Sequence, residues 1–171
     1  LLYKGKKIAV TICEDIWNLG HNPLYRICPM DKLMEQHPDV MINLSASPFD
    51  YTHDEDRKTV IRNNVLKYKL PMFYCNAIGS QTEIVFDGAS LIFDKHGNLC
   101  KALPMFQESI CTVELNNDGS INSNILEPID NLPKHLLNPT SLNEQLNIAQ
   151  IHDALVLGIK DYFNKIFLIC F

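Results

Sequence analysis

The chain has 171 residues, 46% of them hydrophobic and 20% charged, which is the make-up of one globular domain with a sizeable core and excludes a disordered segment. Its formal net charge is -5 and its one short basic run is Lys4-Gly5-Lys6-Lys7, so the basic footprint that nucleic acid requires is missing. No apolar stretch approaches a membrane span, no signal peptide is visible, and six cysteines (13, 28, 75, 100, 111 and 170) contain no C-x-x-C pair, which argues against zinc and thioredoxin-like redox sites and fits free thiols in a reducing cytoplasm.

In chain order, the basic run reads as a solvated turn before an apolar strand at 7–12. That strand delivers Cys13 directly in front of Glu14, Asp15 and Trp17. A second strand, 39–44, carries the near-continuous apolar run Val40-Met41-Ile42-Asn43-Leu44 and ends in Ser45-Ala46-Ser47-Pro48-Phe49. A capping box at Thr52-x-x-Glu55, acids at 54–56, apolar residues at Ile61, Val65 and Tyr68, and a stop at Pro71 predict a helix. Strands follow at 71–76 and 84–93, with a weaker one at 110–115. Gly88, after Ile84-Val85-Phe86-Asp87, signals a bulge or a close backbone approach with a structural role. The turn Phe93-Asp94-Lys95-His96-Gly97-Asn98-Leu99 predicts a hairpin, hence a sheet that is antiparallel in part.

Residues 116–140 are rich in Asn, Asp, Ser and Pro and read as a linker or arm. A second capping box, Ser141-x-x-Glu144, opens a helix with Ile151, Leu155, Gly158 and Tyr162 as its apolar stripe and Asp153, Lys160 and Asp161 on other faces. A terminal strand is expected over 166–171. The division is therefore 1–115, 116–140 and 141–171. Strand, helix and strand alternate at the spacing of an α/β layer fold. A start without methionine and an end inside an apolar run read as a piece of a longer protein.

Cys13 is the residue with the most chemical potential. A small buried core residue is the commoner fate of such a cysteine. Amide hydrolysis by a thiol needs a thiolate, a base to make it, donors for the oxyanion and a pocket. With a free thiol pKa of about 8.5, full ionisation supplies only roughly 2 kcal/mol of the at least ~8 kcal/mol that enzymes deliver. Positioning and oxyanion stabilisation must supply the rest. Glu14 and Asp15 are anionic and cannot do this, and none of the histidines at 21, 37, 53, 96, 135 and 152 has a spacing that singles it out. Ser45-Ala46-Ser47 lies where open α/β sheets build their sites, although a helix-capping loop explains these residues equally well.

Four separated motifs together carry a resemblance: Ile12-Cys13-Glu14-Asp15-Ile16-Trp17, Asn43-Leu44-Ser45-Ala46-Ser47-Pro48-Phe49, Asn76-x-x-Gly79 and Phe86-Asp87-Gly88-x-Ser90. In this order they resemble the nitrilase, or carbon–nitrogen hydrolase, superfamily, and within it the glutaminase domain of glutamine-dependent NAD synthetases. The run from Gln150 to Tyr162 is similar to the helix that opens the synthetase domain in that family. The resemblance implies a partial nitrilase-like α-β-β-α sandwich, followed by the first helix and strand of an α/β ATP-pyrophosphatase domain. It implies Cys13 as the nucleophile of a Glu-Lys-Cys triad that forms a thioester with glutamine and releases ammonia. It also implies glutamine recognition at Ser47, at Glu14 and at His53, the last lying six positions beyond Ser47 where the family carries a basic residue.

The family's triad Glu and Lys lie upstream of its cysteine motif, and only twelve residues precede Cys13, so neither role is assigned here. No metal ligand and no cofactor are assigned to this chain; ATP and magnesium are expected for the synthetase domain, with nicotinic acid adenine dinucleotide as its substrate. The resemblance further implies a cytoplasmic homo-oligomer without nucleic-acid or membrane partners. The chain alone is expected to hydrolyse no glutamine. The competing readings are another carbon–nitrogen hydrolase such as an amidase or carbamoylase, a non-catalytic piece for assembly or binding, and a redox or structural cysteine domain.

Overall fold

Three apolar runs become the parallel spine of a mixed sheet in the computed structural model, which describes residues 1–19, 26–51, 53–122 and 145–167. Strand β1 (Leu2–Tyr3) turns through Lys4 and Gly5, both with positive φ, into β2 (Lys6–Ile12). A single 3-10 turn, Cys13–Ile16, follows, then the short helix α1 (Pro29–Met34) and β3 (Val40–Ser45). Helix α2 (His53–Tyr68) leads to β4 (Met72–Asn76). The hairpin β5 (Ile78–Gln81) and β6 (Ile84–Asp87) precedes a second hairpin, β7 (Leu91–Phe93) and β8 (Leu99–Ala102). Strands β9 (Glu114–Leu115) and β10 (Ile121–Asn122) form a small hairpin, and α3 spans Gln145–Phe167.

The main sheet has the order β1-β2-β3-β4-β7-β8, with β2, β3 and β4 parallel and the remaining pairs antiparallel. The mixed α/β architecture and the antiparallel turn at 93–99 are as the sequence predicts. Alternation sorts the strand residues to two faces. One face carries Ala9, Met41, Met72, Tyr74, Leu91 and Phe93, which pack against Met30 of α1 and Ile61, Val65 and Tyr68 of α2. On the other face Val10, Ile12, Leu44 and Cys75 are exposed, Ile12 by 66% and Leu44 by 49%, while Val40 and Ile92 are buried. Met72, wholly inaccessible at the centre of the covered face, is the test of that core: Met72→Ala is expected to cost about 2–5 kcal/mol in urea unfolding.

Several sequence expectations are corrected. The run 84–93 is two strands, because Gly88 (φ +71) and Ala89 (φ +50) turn the chain from the β5–β6 hairpin into the main sheet. In 110–115 only Glu114 and Leu115 are strand, since Ile110 is exposed and has no strand beside it. The stretch read as an arm begins with a hairpin whose turn is closed by the bond from Gly119 N–H to Asn116 O at 3.0 Å. Residues 123–140, and the capping boxes at Thr52 and at Ser141–Glu144, fall outside the described residues.

Helix α3 continues through Ile166 and Phe167, where the terminal strand was expected to begin; Leu168 to Phe171 lie outside the described residues. Its docking face matches the predicted stripe in part: Gly158 lies against the Val85 side chain and Ile151 is half-buried. Leu155 and Tyr162 are 62% and 57% exposed, whereas Gln150 and Ala154 are buried. Asp161, expected on an outer face, accepts the Ser80 N–H at 2.8 Å, and Lys165 donates to Ser80 O. The helix docks on a strand edge, whose unpaired backbone groups select polar partners over apolar ones. No helix among the described residues is long and apolar enough to cross a membrane.

Candidate functional site

The parallel strands β2, β3 and β4 end at one edge of the sheet, with Ile12 beside Leu44, Leu44 beside Cys75, and Ser45 beside Asn76. Open α/β sheets build their sites at such carboxyl ends. Cys13 is the first residue past β2, half-buried, with φ +46. A non-glycine residue in the left-handed region costs on the order of 1–3 kcal/mol and persists only where its surroundings impose it. Here they do. The Asp15 carboxylate reaches back to accept the Ile12 N–H at 2.8 Å, as the acid of a capping box does, and Trp17 N–H closes the turn on Glu14 O at 2.9 Å. Asn64 of α2 donates to Ile16 O at 2.8 Å and so fastens the far end. A thiol on a tight turn at a strand end is presented much as a hydrolase presents its serine.

Beneath the turn, Asn43 is fully buried. Its Nδ2 donates to Thr11 Oγ1 at 3.0 Å and to Cys13 O at 3.4 Å, while Ser45 Oγ donates to its Oδ1 at 2.6 Å. Cys13 is thereby tied to the end of β3. In the sequence Asn43 stands within the second strand with no role of its own. A polar residue inside an otherwise apolar run was the available signal.

Ser47 is half-buried in the loop after β3. Its N–H donates to Asn76 Oδ1 at 2.8 Å, and its carbonyl accepts from Asn76 Nδ2 at 3.4 Å. Asn76 Nδ2 also donates to Asp87 Oδ1 at 2.9 Å, and Arg57 Nη1 donates to Asp87 Oδ2 at 3.0 Å. The Arg57 and Asp87 side chains are 1% and 2% exposed, a buried ion pair. The Arg57 guanidinium also lies 5.9 Å from the centre of the Tyr74 ring. Burial raises the Tyr74 phenol pKa, offset in part by Arg57 and by the neighbouring Ser45 and Ser47 hydroxyls, and Tyr74 Oη makes no hydrogen bond of ordinary geometry. The loop is held from its other side as well. Phe49 N–H donates to Val85 O at 2.8 Å, Pro48 bridges to Phe86, and Phe49 packs edge-on against Phe106.

Of the four residues singled out from the sequence, Cys13 and Ser47 are brought to the same sheet edge. Glu14 is exposed on the turn that carries Cys13. His53 opens α2, and its side chain lies outside the described residues, as do His21 and His135. Among the described residues, no side chain hydrogen-bonds Cys13 Sγ, and no group of three or more His, Cys, Asp or Glu is arranged to hold a metal ion. Cys28 has a different setting: its Sγ is 3.3 Å from Tyr68 Oη, which donates to Asp31 Oδ1 at 2.8 Å. Burial, and then those two neighbours, push the Tyr68 phenol well above its usual range, so this cluster fastens α1 to α2 as a neutral phenol.

No protein-family model matches the chain. It is 30% identical over 167 residues to the glutamine-dependent NAD(+) synthetase of Synechocystis sp., a match covering 96% of this chain and 28% of that protein. It is 29% identical over 177 residues to the glutamine-dependent NAD(+) synthetase of Thermotoga maritima, covering 93% and 30%. The chain thus spans less than a third of the length of these relatives. Among solved structures, the glutamine-dependent NAD+ synthetase from Acinetobacter baumannii in complex with ADP superposes with a TM-score of 0.72 at 25% identity, covering 96% of this chain and 27% of that one. A carbon–nitrogen hydrolase from Helicobacter pylori superposes with a TM-score of 0.50 at 19% identity over 61% of this chain and 39% of that one, a likeness of fold.

Proposed function

We propose that the chain is the cysteine-bearing part of the glutaminase unit of a glutamine-dependent NAD synthetase, with Cys13 as its nucleophile. The observation that carries this reading is the left-handed Cys13, imposed by Asp15, Asn43 and Asn64 at the sheet edge that also carries Ser47. The similarity to named synthetases over nearly the whole chain supports it.

The Cys13 thiolate attacks the side-chain amide carbon of glutamine, forming a tetrahedral adduct. Its collapse breaks the C–N bond, the nitrogen leaves with a proton as ammonia, and a γ-glutamyl thioester remains on Cys13. Water attacks the thioester carbonyl, releasing glutamate and regenerating the thiol. Ser47, Glu14 and His53 hold glutamine. The base for Cys13 and the cationic donor for the oxyanion come from outside the described residues. The whole protein would then pass ammonia to a synthetase unit that uses ATP and magnesium to amidate nicotinic acid adenine dinucleotide, and no residue of this chain is assigned to either.

The bare apolar face of Val10, Ile12, Leu44 and Cys75 is, in this reading, the inner face of an α-β-β-α sandwich awaiting its second sheet. Helix α3 is the first element of the synthetase unit. A cytoplasmic homo-oligomer completes the proposal.

The test is to quench the full-length parent protein with acid during glutamine turnover and map the acylated peptide by mass spectrometry. A γ-glutamyl adduct on Cys13 is the expected result, and an adduct on any other cysteine overturns the assignment. The 171-residue chain by itself is expected to release no ammonia, as measured by a coupled glutamate dehydrogenase assay, because the base and the oxyanion donor are assigned to no residue of this chain.

A further inference from the structure

One side chain takes both backbone polar groups of Ser47. Asn76 Oδ1 accepts its N–H and Asn76 Nδ2 donates to its carbonyl, so the amide stands in for the partner strand that this loop lacks. Asn76 is itself held: its backbone N–H donates to Ser90 Oγ at 3.0 Å, and its Nδ2 donates to the Asp87 carboxylate. Asp87 pairs with Arg57 in the interior, one oxygen accepting from the guanidinium and the other from the Asn76 amide. This fixes the amide in one orientation. Turned over, Asn76 would set its oxygen against both the Asp87 carboxylate and the Ser47 carbonyl and its NH2 against the Ser47 N–H, three repulsions in place of three bonds. Arg57, Asp87 and Asn76 are all buried, and their bonds are charge-assisted where they meet the carboxylate.

We propose that Asn76, braced by Asp87 and Arg57, is a positioning residue for glutamine: it sets the place of Ser47 at the substrate site without touching substrate. This rests on the reading that Ser47 binds glutamine. Displacement of a binding group by about 1 Å is enough to cost on the order of 10²-fold in a preorganised site.

The experiment compares the full-length parent protein with Asn76→Ala, Ser47→Ala and the double variant, following glutamate formation from glutamine. The rate of Cys13 alkylation by iodoacetamide is measured alongside, because that small reagent reports the nucleophile without the glutamine site. Asn76→Ala is expected to raise KM for glutamine at least about tenfold, to change kcat less than about threefold, and to leave the alkylation rate at the wild-type value. The double variant is expected to be no worse than Ser47→Ala alone, because a residue that acts through Ser47 has nothing left to act on. Should kcat and alkylation fall together with binding, Asn76 is part of the general scaffold and the proposal is overturned. Additive effects in the double variant overturn it too. If Ser47→Ala leaves KM unchanged, the glutamine reading of Ser47 itself has failed, a result distinguishable from failure of the brace because it needs no Asn76 variant. Should Asn76→Ala not fold, Asn76→Ser is smaller in effect on packing, still loses the two-bond clasp, and is held to the same outcomes.

Discussion

Replacing Cys13 by alanine is expected to lower glutamine hydrolysis by the full-length parent protein at least about 10⁴-fold, since effects of that size follow removal of the nucleophile from a preorganised hydrolase. Amidation fed with ammonium salt is expected to survive, because the proposed task of Cys13 ends when ammonia is released. Two further substitutions separate chemistry from geometry. Cys13 holds φ +46, which glycine adopts at little cost and alanine does not. Cys13→Gly is therefore expected to be as inactive as Cys13→Ala yet more stable by about 1 kcal/mol in urea unfolding. Cys13→Ser keeps the shape but exchanges a thiol for a far less acidic, weaker nucleophile, and is expected to fall close to the alanine variant. Glutamine hydrolysis by Cys13→Ala within tenfold of wild type would sink the assignment of the nucleophile.

The second large effect is on stability. Arg57→Leu leaves the Asp87 carboxylate buried without its cation, and removal of one partner from a buried ion pair costs about 3–5 kcal/mol. Against a total stability of roughly 5–15 kcal/mol, that is enough to leave much of the protein unfolded at physiological temperature. The loss is compounded locally because the guanidinium also packs over the Tyr74 ring. The double variant Arg57→Leu/Asp87→Leu is expected to recover part of the loss, since no uncompensated charge remains. Recovery stays incomplete because Asp87 also accepts from Asn76, whose donor is then orphaned. Denaturant midpoints for wild type, both single variants and the double variant form the cycle. Strict additivity would show that the pair does not act as a unit.

Both predictions depend on residues whose importance was unequally visible beforehand. Cys13 announced itself, because an apolar strand followed at once by Cys-Glu-Asp is a local pattern. The three parallel strands and α2 were equally plain, since each buries a contiguous run or a helical stripe, and the pairs Ile61–Val65 and Val40–Met41 need no distant partner to declare their period. Asn76, Asp87 and Arg57 were far less plain. They lie 11 and 30 residues apart as Asn76–Asp87 and Arg57–Asp87, on a strand end, a hairpin end and a helix. Nothing local marks Arg57 as buried, because an arginine between three acids and a lysine on a helix reads as a solvated face.

Helix α3 shows the same limit from the other side. Its apolar spacing pointed to Ile151, Leu155, Gly158 and Tyr162 as the stripe, and the fold exposes Leu155 and Tyr162 while Gly158 lies against the Val85 side chain. The partner proved to be the backbone edge at Ser80, for which Asp161 and Lys165 are the complementary groups. Sequence period records where apolar residues recur along an element, and it carries no information about a partner surface that is polar.

By itself, then, the sequence determined the α/β class and the central strands with the helix between them, and it pointed to the cysteine and serine loops as candidate places for chemistry. These follow from short-range patterning, where the burial of neighbouring residues decides the outcome. The tertiary structure alone decided that Cys13 adopts a left-handed backbone, that Ser47 is held by Asn76, and that a buried charge pair braces Asn76. Those outcomes depend on hydrogen bonds between groups tens of residues apart, and a buried polar atom must find whichever partner the fold brings within about 3 Å.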